Sequence, residues 1–316
     1  MDKEFEYNKP WIMQRADPYV YRHTDGWYYF TASVPAYDRI VLRRSRSLSQ
    51  LSDAEEKTLW VKHESGPMSE HIWAPELHFL FGKWYIYFAG GEKEDPWKIR
   101  PYVLECQSDD PMEGPWIEKG KMRRASEDEF SFEAFSLDGT VFENKGKWYY
   151  IWAEKVGVGK QISNLYIAEM ENAYTLKTVQ VLLTTPDYDW ERQGFWVNEG
   201  PGIIRRDGRI FMTYSASETG IYYCVGMLCV HEDDDLLDPR NWKKERYPVL
   251  KTCAEKEIYG PGHNSFTEDE DGNDIMVYHA RTEAVIEGNP LYNPNRHAML
   301  MKIRWDEKGY PVFEYC

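Results

Sequence analysis

Four acidic residues and one histidine stand at matching places in five short motifs: Asp17 in RADPYV, Glu76 in WAPE, Asp138 in SLDGT, Glu199 in NEGPG and His263 in GHNSF. Each lies near Gly or Pro and is followed by an apolar run, a turn with glycine and an apolar-aromatic stretch, as in GWYYFTAS, GKWYIYF and GKWYYIW. Taken singly, an acid ahead of a strand satisfies exposed backbone N–H groups and favours a turn. Asp17, Asp138 and Glu199 together, without basic partners, repel one another and raise at least one pKa. A fold seldom tolerates that cost at a site it does not use. Two carboxyls of separated acidity can do acid–base work. One keeps a proton to give to a leaving oxygen, and the other stays ionised to activate water or attack carbon.

The elements that must position these groups follow from the repeat. The motif returns five times, about every sixty residues along the whole chain, the mark of a repeat architecture. The Tyr, Trp, Phe and Ile content of the segments suits pleated, half-buried strands, and Asp25-Gly26, Asp207-Gly208 and Asp271-Gly272 are hairpin-turn pairs. Third strands follow in SNLYIAEM and IYYCVGMLCV. The reading is an all-β chain, residues 1–316 forming a single five-bladed β-propeller catalytic domain. The innermost strand of each blade then runs along the axis, so the five polar residues gather around one mouth of the channel. A turn or two of helix is expected in SLSQLSDAEEKTLW, and an exposed loop between blades in HEDDDLLDPRNW.

The 316 residues carry a formal net charge of −15 and no basic stripe, which argues against a nucleic-acid partner. No window approaches the roughly 18 apolar residues of a membrane span, so no membrane partner is expected. The start, MDKEFEYNKPW, lacks an apolar stretch behind a basic one and reads as no signal peptide. Cys106, Cys224, Cys229, Cys253 and Cys316 are odd in number and lack metal-ligand spacing, and so read as reduced thiols of a cytoplasmic protein. Cys224 and Cys229 fall on opposite faces of one strand. GVGKQ (157–161) lacks the residues of a phosphate loop, DEDGND (269–274) reads as a turn, and there is no His-Glu-x-x-His motif.

In this order and at this spacing, RADPYV, WAPE, SLDGT, NEGPG and GHNSF resemble the blade-start signatures of glycoside hydrolase family 43 over essentially the whole chain. The resemblance implies an inverting mechanism, with Asp17 as general base, Asp138 orienting and tuning the acid while itself ionised, and Glu199 as general acid. The base and acid would then stand roughly 6.5–9.5 Å apart to admit water. It implies no required cofactor. His263 would hold a structural Ca²⁺ on the propeller axis, often through water, or else be a hydrogen-bonded structural histidine, since calcium prefers oxygen ligands. Trp73 is the best exposed candidate for a platform under a sugar face. Arg296, nine residues before Trp305, either reaches the sugar and steadies Asp17 or is a strand-surface cation. Arg281, after VYHA, is a further substrate-binding candidate. HESGPMSEHIWAPE, GFWVNEGP and YGPGHNSF most resemble arabinofuranosidase members. The expected activity is exo-acting release of terminal α-L-arabinofuranose from arabino- or arabinoxylo-oligosaccharides, in hemicellulose degradation. The same three acids would serve a β-xylosidase. Relatives that cleave xylosides often carry a second β-sandwich domain, and an end soon after the fifth motif favours arabinose. A non-catalytic sugar-binding propeller is the alternative of another class; the change of polar residue from blade to blade speaks for catalysis. The oligomeric state is left open.

Overall fold

The computed structural model describes residues 6–157 and 161–315. The first five residues of the N-terminal motif, most of GVGKQ and Cys316 lie outside them. Hairpin follows hairpin along the chain. Blade I is Ala16–Arg22, Tyr28–Ser33, Arg39–Ser45 and Lys57–Val61, paired in that order, and blade II is Glu70–Leu80, Lys83–Glu92, Asp95–Cys106 and Trp116–Lys121. Blade III pairs Ser136–Asn144, Lys147–Val156 and Ile162–Asn172, with Val181–Thr184 outside. Blade IV pairs Trp196–Arg206, Arg209–Ala216, Cys224–His231 and Lys243–Lys244, and blade V pairs Tyr259–Glu268, Asp274–Arg281 and His297–Lys302. The first strand of each blade neighbours that of the next, and the fifth neighbours the first. The chain is a five-bladed β-propeller.

The aromatic strands explain why the ring forms. Tyr28–Ser33 is buried on both faces, which suits a strand packed between two neighbouring blades better than one half open to water. Five apolar clusters fill the five junctions: Tyr29 and Leu42 meet Trp84 and Leu104, Tyr87 and Val103 meet Tyr150 and Trp152, and Ile151 and Leu165 meet Met212 and Leu228. Phe211 and Val225 meet Met276 and Tyr278, and Phe30 and Val20 meet Val277 and Leu300. Each such fully buried side chain contributes about 1.5–3 kcal/mol. Cys224 and Cys229 do lie in different clusters, on opposite faces of their strand.

Closure is made by the N-terminal segment. Asn8 N–H donates to Leu300 O at 2.8 Å, Trp11 N–H to Ala298 O at 2.8 Å, and Ala298 N–H returns a bond to Ile12 O at 2.9 Å, so residues 8–12 edge the last strand of blade V. Ile12 is buried in the junction between blades V and I. Ile12→Ala is expected to cost about 2–4 kcal/mol, as buried large-to-small changes do, seen as a lower midpoint of thermal unfolding by circular dichroism. An unchanged midpoint would mean the latch contributes nothing. SLSQLS does hold one short helical turn, Ser49–Ser52, and Asp269–Asn273 is a turn closed by Asp269 N–H to Asn273 O at 2.9 Å.

Candidate active site

One kink, repeated, builds the mouth of the channel. Asp17, Ala74, Asp138, Gly200 and His263 take left-handed backbone, with φ of 53°, 46°, 54°, 56° and 43°. The register with the second strand slips beside every one of them. Such a bulge bends the strand and re-aims its side chain. Aspartate visits this region because its short polar chain bonds locally, and glycine because it has no Cβ. Ala74 and His263 carry strain of order 1–3 kcal/mol there. Their N–H groups are pinned to hydroxyls on the second strands of blades I and IV: Ala74 to Ser33 Oγ at 2.8 Å, His263 to Ser215 Oγ at 2.6 Å.

This register corrects the alignment of motifs. In blade II the kink falls on Ala74, and Glu76 lies two residues further down the strand. There Glu76 Oε2 meets His78 Nε2 at 2.8 Å and lines a cavity of about 150 Å³ with Tyr19, Thr140 and Asn264. In blade IV the kink falls on Gly200, so Glu199 stands one residue before it.

Asp17, Asp138 and Glu199 are brought together around His263. His263 Nδ1 is 3.3 Å from Asp17 Oδ1 and 3.8 Å from Asp138 Oδ2. Ser33 Oγ donates to Asp17 Oδ2 at 2.6 Å, Gly200 N–H donates to Asp138 Oδ2 at 3.1 Å, and Tyr223 OH donates to Glu199 Oε1 at 2.8 Å. Gly139 of SLDGT is required by close packing, because a Cβ there would stand 1.7 Å from the Tyr150 hydroxyl oxygen.

The three carboxyls divide in acidity. Burial works against the charge of Asp17, but His263, His279 and Arg296 outweigh it and hold its pKa far below the ordinary range. Burial pushes Asp138 well up, Glu199 and Asp17 push it further, and His263 only partly opposes them. Burial also raises Glu199, with Asp17 adding and Tyr223, His263 and Lys155 subtracting. Asp138 and Glu199 are thus both pushed up by burial, while Asp17 is pushed down. His263 is raised by Asp17, Asp138 and Glu199 in spite of its burial. His279 is lowered to about 4 by burial; its Nδ1 stands 3.1 Å from the Asp17 backbone nitrogen and 3.4 Å from Asp17 Oδ1.

The remaining candidates fall differently. Trp73 is not an exposed platform; it is 7% exposed, stacked on His71 with centroids 4.5 Å apart, its buried Nε1 without a partner among the described residues. Arg296 is no surface cation. It is buried, donates from Nη2 to Tyr37 OH and to Leu291 O at 3.1 Å, and supports Asp17 through its charge. Arg281 is not brought to the carboxyls. Its guanidinium is spent on Asn293 Oδ1, Asn295 O, Thr219 O and Pro290 O at 2.7–3.1 Å, anchoring the segment 290–295. His263 Nδ1 faces the carboxylates of Asp17 and Asp138, and among the described residues no cluster of three metal-binding side chains exists.

Ser33, Ser215, His279, Tyr223 and Lys155 were missed in the sequence. A signal for the first three was there, since Ser33, Ser215 and His279 are polar residues near the end of aromatic second strands, in FTAS, YSAS and VYHA.

A closed ring of sheets that gathers three carboxyls at one mouth, one with its pKa pushed down and two with theirs pushed up, is the frame of a propeller glycosidase. Residues 7–311 match Glycosyl hydrolases family 43, and the chain belongs to that family. It is 46% identical over 308 residues to an extracellular exo-α-(1→5)-L-arabinofuranosidase of Streptomyces avermitilis, covering 97% of this chain and 63% of the relative. It is 50% identical over 285 residues to an enzyme of the same name from Streptomyces chartreusis, covering 90% of this chain and 85% of the relative. The crystal structure of an α-L-arabinofuranosidase from Lactobacillus brevis superposes with a TM-score of 0.91 at 50% identity, covering 98% of this chain and 96% of that one. This chain thus spans less than two thirds of the S. avermitilis protein, so length does not separate arabinose from xylose cleavage.

The cytoplasmic expectation is overturned by the two Streptomyces relatives, both named extracellular. Among the described residues Cys106, Cys224 and Cys229 are free and buried, and Cys253 is free and half-buried.

Proposed function

We propose that this chain is an inverting, exo-acting glycoside hydrolase that releases terminal α-L-arabinofuranose from arabino- and arabinoxylo-oligosaccharides, its five blades acting as one catalytic domain. The observation that carries the reading is the split in acidity at one mouth, Asp17 pushed down and the Asp138–Glu199 pair pushed up. Asp17, ionised, takes a proton from water as that water attacks the anomeric carbon. Glu199 gives its proton to the departing glycosidic oxygen on the other face, and Asp138, held by Gly200 N–H, orients the acid and tunes its acidity. His263 and Arg296 keep Asp17 charged.

Exo action is supported by the names of the two Streptomyces relatives, both exo-α-(1→5)-L-arabinofuranosidases. Arabinose over xylose is supported by the names borne by relatives at 44–50% identity.

Hydrolysis of 4-nitrophenyl α-L-arabinofuranoside and 4-nitrophenyl β-D-xyloside, side by side, tests the assignment. The arabinoside is expected to turn over faster. Xyloside turnover alone would make the chain a β-xylosidase, and turnover of neither by folded protein would make it a sugar-binding propeller. Proton NMR of the first-formed sugar should show β-arabinose, and an α product would reject inversion.

A further inference from the structure

The leaving sugar must depart on the Glu199 side, and that side carries a wall the mechanism does not yet use. Trp97, at the start of the third strand of blade II, is 52% exposed. Its ring stacks on Phe135, with centroids 6.5 Å apart and planes at 27°, and lies 6.2 Å from Trp73. Lys155 Nζ stands 3.8 Å above the Phe135 ring, and Lys155 N–H donates to Phe135 O at 2.8 Å.

These groups form an arc between the two ends of the reaction. Trp73 precedes Ala74, which is bonded to Ser33, the partner of Asp17. Phe135 enters the strand of Asp138, three residues away. Lys155 pairs with Ser163, which pairs in turn with Val197 and donates from Oγ to Asn198 O at 3.2 Å, next to Glu199. Burial lowers the Lys155 pKa and Glu199 opposes the fall, consistent with that nearness. Two flat rings and an ammonium held at the exit side match a sugar's chemistry. The weakly positive C–H face lies on the negative ring faces, and an ammonium donates to hydroxyl and ring oxygens.

We propose that Trp97, Phe135 and Lys155 form the site for the leaving sugar and set the preference for an oligosaccharide over a simple glycoside. The proposal rests on the glycosidase reading above.

The test compares α-1,5-arabinobiose with methyl α-L-arabinofuranoside, whose leaving group needs the same proton but offers no second sugar. Trp97→Ala and Phe135→Leu should each lower kcat/KM on arabinobiose about three- to tenfold, and leave the methyl glycoside within about twofold. Equal losses on both substrates would overturn the proposal, as would no loss on arabinobiose; circular dichroism on each variant separates misfolding from either. If the wild type cleaves xylobiose and not arabinobiose, the sugar assignment fails. The same ratio on xylobiose against methyl β-D-xyloside then decides the subsite. If neither is cleaved, calorimetric titration with arabinobiose decides it, and equal affinity of wild type and Trp97→Ala would sink it.

Discussion

Glu199→Gln will cost about 10²–10⁴-fold in turnover of an arabino-oligosaccharide, the usual worth of a placed proton donor, and much less on 4-nitrophenyl α-L-arabinofuranoside. Nitrophenolate leaves without a proton, whereas a sugar alkoxide does not. Glutamine keeps the shape of the site, because Tyr223 OH, 2.8 Å from Oε1, can donate to an amide oxygen as it does to a carboxyl. Equal losses on the two substrates would contradict the acid role.

The pH profile carries the same prediction with a sign. Burial and the neighbouring Asp17 raise Glu199, and Asp138 is raised with it, so the working proton persists above the ordinary carboxyl range. Activity on oligosaccharides falls as pH rises through the pair's upper pKa. In the glutamine variant Asp138 loses its like-charge neighbour and its pKa comes down. Asp17, held far below the ordinary range, stays ionised throughout and sets no alkaline limb.

The ring was legible because five motifs near sixty residues apart admit few architectures, and because both-face-buried aromatic strands must have sheets on either side. Asp17, Asp138 and Glu199 were legible as the polar residues of repeated motifs, though Glu199 stands one residue before its kink. The offset of Glu76 was not, since WAPE places a proline between the kinked Ala74 and the acid, and a bulge is a property of pairing that sequence spacing does not carry. Latch residues 8–12 look like any polar terminus, and their role is set by the exposed edge of blade V at the other end of the chain. Arg281 and Arg296 show the same limit. They are two arginines of similar context; one anchors a segment and the other supports Asp17, and only the fold of residues 282–296 separates them. Lys155 and Phe135 lie twenty residues apart, and a hairpin register had to bring them into contact.

Asp17→Asn is the second large effect, and it should fall equally on arabinobiose and the nitrophenyl glycoside, about 10²–10⁴-fold on each, because the water must be deprotonated whatever leaves. Asparagine is the right substitute. At φ 53° it accepts the left-handed backbone almost as readily as aspartate, where alanine would add strain to the loss of charge. Its amide oxygen can still accept from Ser33 Oγ, and its N–H still reaches His279 Nδ1, so the kink survives while the base does not. Azide then separates a missing base from a distorted site. As an anion that needs no deprotonation, it can attack the anomeric carbon from the water's side while Glu199 protonates the departing oxygen. The variant should therefore recover rate with added sodium azide and yield the β-L-arabinofuranosyl azide, identified by proton NMR. Recovery without the azide product, or loss confined to one of the two substrates, would remove Asp17 from the role of base and leave His263 and Arg296 guarding a charge with no chemical use.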